Sequence, residues 1–315
     1  MRVTNVNKTS IVRFRVRLGI QRVVSLALCS LLGISSVTVR AETLQAFVSV
    51  LPLKHFVERV GGKHVRVAVM VGPGQSPHTF EPSPKQMVEL AAAEVYFAIG
   101  VPFEDVWMER IAADHPALRV VDVRKGITLR PLEAEAPAHR HSYPEEEKSH
   151  GGAGRGDPHI WTDPRRVEII ADNIRETLMA LDPAHHAEYE SNYTEFVAEL
   201  ERLDKAIRRL LKPKQARRFM VFHPAWSYFA EAYGLQQISI EIAGKEPGAR
   251  QLAKLVDTAK AQGIRVIFVQ TQFSRRNAET VARAIGGRVI AVDPLAENYT
   301  ENLLFVAETF AEAMQ

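Results

Sequence analysis

From Leu44 onward the hydrophobic positions alternate between two rhythms. Short runs that are apolar at nearly every place, Ala46 to Leu51, Val65 to Val71, Glu94 to Gly100 and Arg119 to Val123, read as strands. Between them, Leu53 to Val60, Lys85 to Ala93 and Phe103 to Ala113 carry helical spacing, and Gly61-Gly62 ends the first of these. The alternation resumes at Arg218. Strands are expected over Arg218 to Phe222, Gln237 to Ile242, Ile264 to Gln270 and Arg288 to Val292, with helices over Ala225 to Tyr233, Ala249 to Ala261, Arg275 to Ile285 and Thr300 to Met314. Gly263 and the pair Gly286-Gly287 stand where helix C-terminal glycines belong. This pattern predicts two α/β halves of similar size with mostly parallel sheets.

A different rhythm separates the halves. Pro164 to Leu181 is one helix, and Asp182-Pro183 opens a longer one reaching Leu211, stopped by Pro213. Its apolar positions Tyr189, Tyr193, Phe196, Leu200, Leu203, Ile207 and Leu210 alternate spacings of four and three, a continuous stripe. A helix over 184–211 is about 42 Å long at 1.5 Å per residue, longer than a small domain is wide. It is expected to connect an N-terminal lobe, residues 42–183, to a C-terminal lobe, residues 212–315.

The first 41 residues follow neither rhythm. Arg2, Lys8, Arg13, Arg15, Arg17 and Arg22 precede the apolar run Val23 to Ile34, Val39 and Ala41 form a small-residue cleavage signature, and no acidic residue precedes Glu42. The run is short for a membrane span, so the segment reads as a secretory signal peptide cut after Ala41. Seven of the 40 lysines and arginines lie in it, which leaves 33 against 37 acidic residues. The formal +3 of the whole chain becomes about −4, and nothing in the charge points to nucleic acid. The single cysteine, Cys29, falls inside the apolar run, so the mature chain would carry no disulfide. The bulky Leu26-Ala27-Leu28 before Cys29 argues against a lipidation site.

Histidine placement gives the chemistry. Residues 138–156 hold His139, His141 and His150 among Glu145, Glu146, Glu147 and several glycines, a loop that collects cations without holding them tightly. Asp157-Pro158-His159-Ile160-Trp161 then leads into the cap Asp163-Pro164, so a stiff turn carries His159. His78 follows the second strand, His223 follows RFMVF and Asp293 follows RVIAV. In open α/β sheets, ligands bind beyond the carboxyl ends of strands, and these four candidates, two from each half, point to the cleft between lobes. Three imidazoles and a carboxylate without thiol suit zinc. Spacing alone leaves open whether the four meet. Trp161, Trp226 and Tyr228 read as core or cleft packing, Glu241 and Glu246 as groups behind the ligands or partners of Lys245 and Arg250, and His55, His64, His115, His185 and His186 as surface residues.

The series LPLKHFVERVGG, VMVGPGQSPHTFEPSPKQM, YFAIGVPFEDVW, DPHIWTDP, FMVFHPAWSYFAEAYGL, IEIAGKEP, VIFVQTQFS and AVDPLAENY resembles the zinc/manganese-type (cluster A-I) solute-binding proteins of ABC importers, most of all their zinc-binding members. The resemblance runs over essentially the whole mature chain. It implies two α/β lobes joined by one long helix, with Zn²⁺ as the transported ligand held between them at His78, His159, His223 and Asp293. Manganese-selective members typically carry glutamate where this chain has His223, so three imidazoles favour zinc, with a manganese- or iron-binding protein of the same class (Mn²⁺ or iron as cargo) as the alternative. The implied protein is not an enzyme: it works in the periplasm as a monomer, without nucleic acid or membrane insertion, and its partner is an ABC permease at the inner membrane. A secreted zinc hydrolase is the contrasting reading, with Glu81 or Glu241 as its base; a metal-dependent adhesin or passive buffer is another.

Overall fold

Both halves of the chain arrange their strands in the same order. The structure, a computed structural model, describes residues 43–132, 156–213, 217–241, 247–273 and 275–314. The signal segment with Cys29 and Ala41, the loop histidines His139, His141 and His150, and Glu246 lie outside the described residues. In the first lobe, β1 (Leu44–Val50), β2 (Val65–Val71), β3 (Val95–Ala98) and β4 (Arg119–Asp122) form a parallel sheet of order β2-β1-β3-β4. In the second, β5 (Arg218–Val221), β6 (Gln236–Ser239), β7 (Val266–Val269) and β8 (Arg288–Ala291) give the order β6-β5-β7-β8, again parallel. In each sheet the order reverses beside its first strand, opening a crevice between β1 and β3 and another between β5 and β7.

Helices fill the crossovers. The first lobe contributes α1 (Leu51–Gly61), α2 (Pro84–Leu90), α3 (Pro102–Asp114) and α4 (Pro164–Leu181). Next comes α5 (His186–Leu211), followed in the second lobe by α6 (Ser227–Tyr233), α7 (Ala249–Ala261), α8 (Arg276–Ala284) and α9 (Tyr299–Ala313). The stretch Pro183–His185 that the sequence assigned to the long helix is a 3-10 turn, because Asp182 leaves helical geometry at φ −134°, ψ 75° as it ends α4. The 26 residues of α5 still span about 39 Å. Its buried stripe of Tyr189, Phe196, Leu200, Leu203, Ile207 and Leu211 packs on α1 and α4 of the first lobe and α9 of the second. One hydrophobic core therefore runs from the first sheet through α5 to Phe229 and Phe310, while the far face of the second sheet has its own core around Met220, Ile267 and Val281.

His55 and His64 do not lie at the surface as expected. The His55 ring packs against Phe56, Phe196 and Tyr299 because α1 lies on α5 and the Tyr299 ring at the start of α9 reaches it, and burial lowers its pKa. His64 is 13% exposed beside the start of α5.

At the carboxyl edge of the first sheet, Glu104, the third residue of α3, turns its side chain back onto the strand ends. It accepts hydrogen bonds from Ile99 N (3.0 Å), Gly100 N (2.6 Å) and the Ser49 hydroxyl, and Ser49 Oγ lies 3.0 Å from Tyr96 Oη. Burial outweighs these bonds and the charge of Arg124, and pushes the carboxyl up to about 7. Between about 4.5 and 7 the folded state holds a proton that the unfolded state has lost, so this group's contribution to stability is complete below 4.5 and disappears as pH rises through 7. Glu104→Gln removes the titration. On going from pH 5 to pH 7.5 the urea midpoint of Glu104→Gln should move upward relative to that of the parent chain, because the variant lacks the one component that falls over this range.

Candidate metal centre

The loop after β2 is set by short-range bonds. Gln75 N donates to Gly72 O (3.2 Å), Thr79 N to Ser76 O (3.2 Å) and His78 N to Ser76 Oγ (3.3 Å). Ser83 caps α2 through Gln86 N, and the Gln86 amide donates back to Met70 O (2.7 Å), tying helix to strand end. His78 projects from this braced loop. Although it stands at the solvent-facing rim, burial of its ring, then the neighbouring His223 and His159, push its pKa down to about 3.

His159 is held by its own turn. Its backbone N–H (3.0 Å) and its ring Nδ1 (2.6 Å) both meet Asp157 Oδ1, and Thr162 Oγ1 donates to His159 O (2.9 Å). Asp157 is buried and bound on every side: its N–H donates to Arg130 O (2.7 Å), Tyr228 Oη donates to its carbonyl (2.8 Å), and the Ser227 hydroxyl donates to Oδ2. Burial opposes ionisation, but the charge and hydrogen bonds of His159, with the Ser227 bond, keep this carboxyl below the usual range. Ser227 and Tyr228 start α6, so the second lobe grips the carboxylate that orients a first-lobe histidine. Trp161 adds another tie, its Nε1 donating to Pro294 O (2.7 Å).

His223 sits at the β5/β7 crevice. Gln270, which ends β7, clamps its backbone: His223 N donates to Oε1 (3.2 Å) and Nε2 donates to His223 O (2.6 Å). The ring stacks on Phe273 at 4.8 Å. Glu241 N donates to Phe222 O (2.9 Å), which brings Glu241 alongside, and His223 Nδ1 meets its Oε2 at 2.9 Å. Burial lowers the pKa of His223, and the Glu241 bond offsets only part of that.

These supports bring three of the four expected residues together. The ligating atoms of His78, His159 and His223 lie within 4.8 Å of one another, and the Nε2 atoms of His159 and His223 are 3.4 Å apart. In neutral imidazoles that give their Nδ1–H to Asp157 and Glu241, both Nε2 atoms carry lone pairs and neither can donate to the other. Two nitrogens bound tetrahedrally at 2.0–2.1 Å from zinc stand about 3.3 Å apart. A cavity of 20 Å³ lies against all three rings, walled by Pro158 and Trp161 on one side and Gln270 and Phe273 on the other, room for about one small ion or water.

The fourth expected residue stands apart. Asp293 accepts from Gln272 Nε2 (2.9 Å), Leu295 N (2.9 Å) and Thr271 Oγ1 (3.3 Å), and is not in the histidine group. Asp157 and Gln270 received no role from the sequence. The signal for Gln270 was present: RVIFVQ ends in a polar residue just as RFMVFH does.

A family model described as ZnuA, zinc-uptake complex component A, periplasmic, matches residues 47–315. The chain belongs to this family. Within the wider zinc-binding group, the zinc-binding protein AdcA of Streptococcus pyogenes serotype M3 is 28% identical over 274 residues, covering 84% of this chain and 52% of AdcA. The chain thus spans about half the length of the AdcA relatives it matches. The high-affinity zinc uptake system protein ZnuA of Bacillus subtilis is 29% identical over 264 residues, 81% of this chain and 80% of that protein. A crystal structure of ZnuA superposes with a TM-score of 0.79 at 39% identity, covering 87% of this chain and all of that one. These ZnuA-type relatives are named as binding and uptake proteins.

The lowered pKa of His78 has a consequence for the metal-free chain. Unfolded histidine titrates near 6.5 and folded His78 lower, so below about 6.5 the unfolded state takes up more protons and acid destabilises the fold. Histidine ring resonances followed by NMR should show His78 without a titration step between pH 8 and pH 5. A midpoint near 6.5 contradicts the packing described.

Proposed function

We propose that this chain captures Zn²⁺ in the periplasm and delivers it to an ABC importer permease, with His78, His159 and His223 as ligands. The observation that carries this reading is the pair of Nε2 atoms facing each other at 3.4 Å, each imidazole held from behind by a carboxylate. Such carboxylate–histidine pairs fix the tautomer and raise the basicity of the ligand nitrogen. The lowered pKa values of His78 and His223 let those rings bind a cation without first losing a proton, which favours capture at neutral pH. Names of relatives that refer to zinc binding and zinc uptake support the choice of cargo.

Asp293 completes the tetrahedral shell in this reading. Its present partners Thr271 and Gln272 are neutral donors, and Gln272 also lines the cavity, so the carboxylate exchanges weak bonds for the ion. The lobes 42–183 and 212–315 act as the two jaws with 184–211 as their connector, a division supported by the packing of α5 on helices of both. His139, His141 and His150 gather zinc weakly for the jaws. The chain reaches the periplasm by cleavage after Ala41 and works as a monomer.

Competition titrations with a zinc-chelating dye test the ligand set. His78→Ala, His159→Ala and His223→Ala should each weaken zinc by orders of magnitude with the far-UV circular dichroism unchanged, and Asp293→Ala should produce a milder loss. Parental affinity in two of the three histidine variants refutes the assignment. His223→Glu replaces an imidazole with a harder oxygen donor and should raise manganese affinity relative to zinc.

A further inference from the structure

We propose a second divalent-cation site at the other end of the first lobe, formed by His64, His185 and Glu188. Their ligating atoms lie within 4.8 Å of one another. His64 directly precedes β2 while His78 follows it, and seven strand residues at about 3.3 Å each put the two sites roughly 23 Å apart. This location is separate from the cleft histidines.

Each group is prepared for coordination. His185 Nδ1 meets Asp182 Oδ2 at 2.6 Å, and Tyr189 Oη donates to the same oxygen (2.7 Å), so Asp182 holds the ring with Nε2 free as a lone pair. This is the carboxylate-behind-imidazole arrangement common to zinc ligands. The His64 ring stacks face to face on that of His185 at 3.6 Å and 22°, so the two imidazoles are already in contact and must splay apart for both in-plane lone pairs to meet one ion. His64 Nε2, shielded from solvent, faces Glu188 Oε2 at 2.9 Å, so a ring nitrogen and a carboxylate oxygen already converge there. Glu188 is half exposed and also carries Lys63 Nζ at 2.9 Å, a side chain 74% exposed and free to swing into water when a cation arrives. Two imidazoles and one carboxylate, with solvent in the remaining position, suit Zn²⁺ and its borderline neighbours over Ca²⁺ or Mg²⁺. A cation there would join the start of β2 to the start of α5, and the open, half-exposed position makes it exchange faster than the interlobe site.

The test uses the full chain with His139→Ala, His141→Ala and His150→Ala, so that the loop contributes no ions, and Zn²⁺ alone as the probe. Equilibrium dialysis should find an ion beyond any bound in the cleft, and zinc-edge anomalous diffraction should place it between His64 and Glu188. Adding Glu188→Gln, an exposed position where folding is safe, should weaken that ion by roughly 10-fold or more, and His185→Gln with Glu188→Gln should abolish it; cleft affinity stays unchanged in both. An anomalous peak at His64 supports the proposal whether or not the cleft is filled. No peak there at saturating zinc, or an extra ion that persists in the double variant, overturns it.

Discussion

Two imidazoles point their lone pairs at each other, and the rest of the cleft is arranged so that they cannot turn away. Asp157 holds one from behind and Glu241 the other, and both carboxylates are buried. Freed of these partners, either ring could rotate to donate to its neighbour and the repulsion would vanish. Asp157 is in turn gripped by Ser227 and Tyr228, so the geometry of a first-lobe histidine depends on contact with the second lobe.

The repeated sheet order explains why the opposed histidines meet. Each sheet reverses direction beside its first strand, and side chains at the strand ends converge over that crevice. Gln270 makes the relation concrete in the second lobe. It leaves β7 where His223 leaves β5, and its amide pairs with both backbone groups of that histidine. The backbone of His223 thus has as little freedom as its ring.

Much of this was legible in the sequence because buried parallel strands are uniformly apolar, and a polar residue at the end of such a run is conspicuous. RFMVF followed by His223 is the clearest case, and the belonging of the chain to its family could be read from the same stretches. Roles that depend on tertiary approach were not legible. Asp157 looks locally like turn chemistry beside Pro158, and only the arrival of α6 makes it a buried orienting group. His64 looked like a solvent-facing residue after Gly61-Gly62, yet the first turn of α5 covers it. Asp293 was placed at the correct edge, but its distance from the imidazoles is governed by side chains such as Gln272 that carry no periodic signal.

The two carboxylates behind the imidazoles also set a charge rule for the cleft. Asp157 and Glu241 behind the rings, with Asp293 at the edge, surround the cradle with three carboxylates, two of them buried where unbalanced charge is costly. A divalent ion offsets most of that negative charge, whereas a monovalent one offsets far less. Discrimination by valence would then come before discrimination by element. The same balance opposes a dry, closed and empty cleft, so departure of the ion favours water entering between the lobes as its replacement.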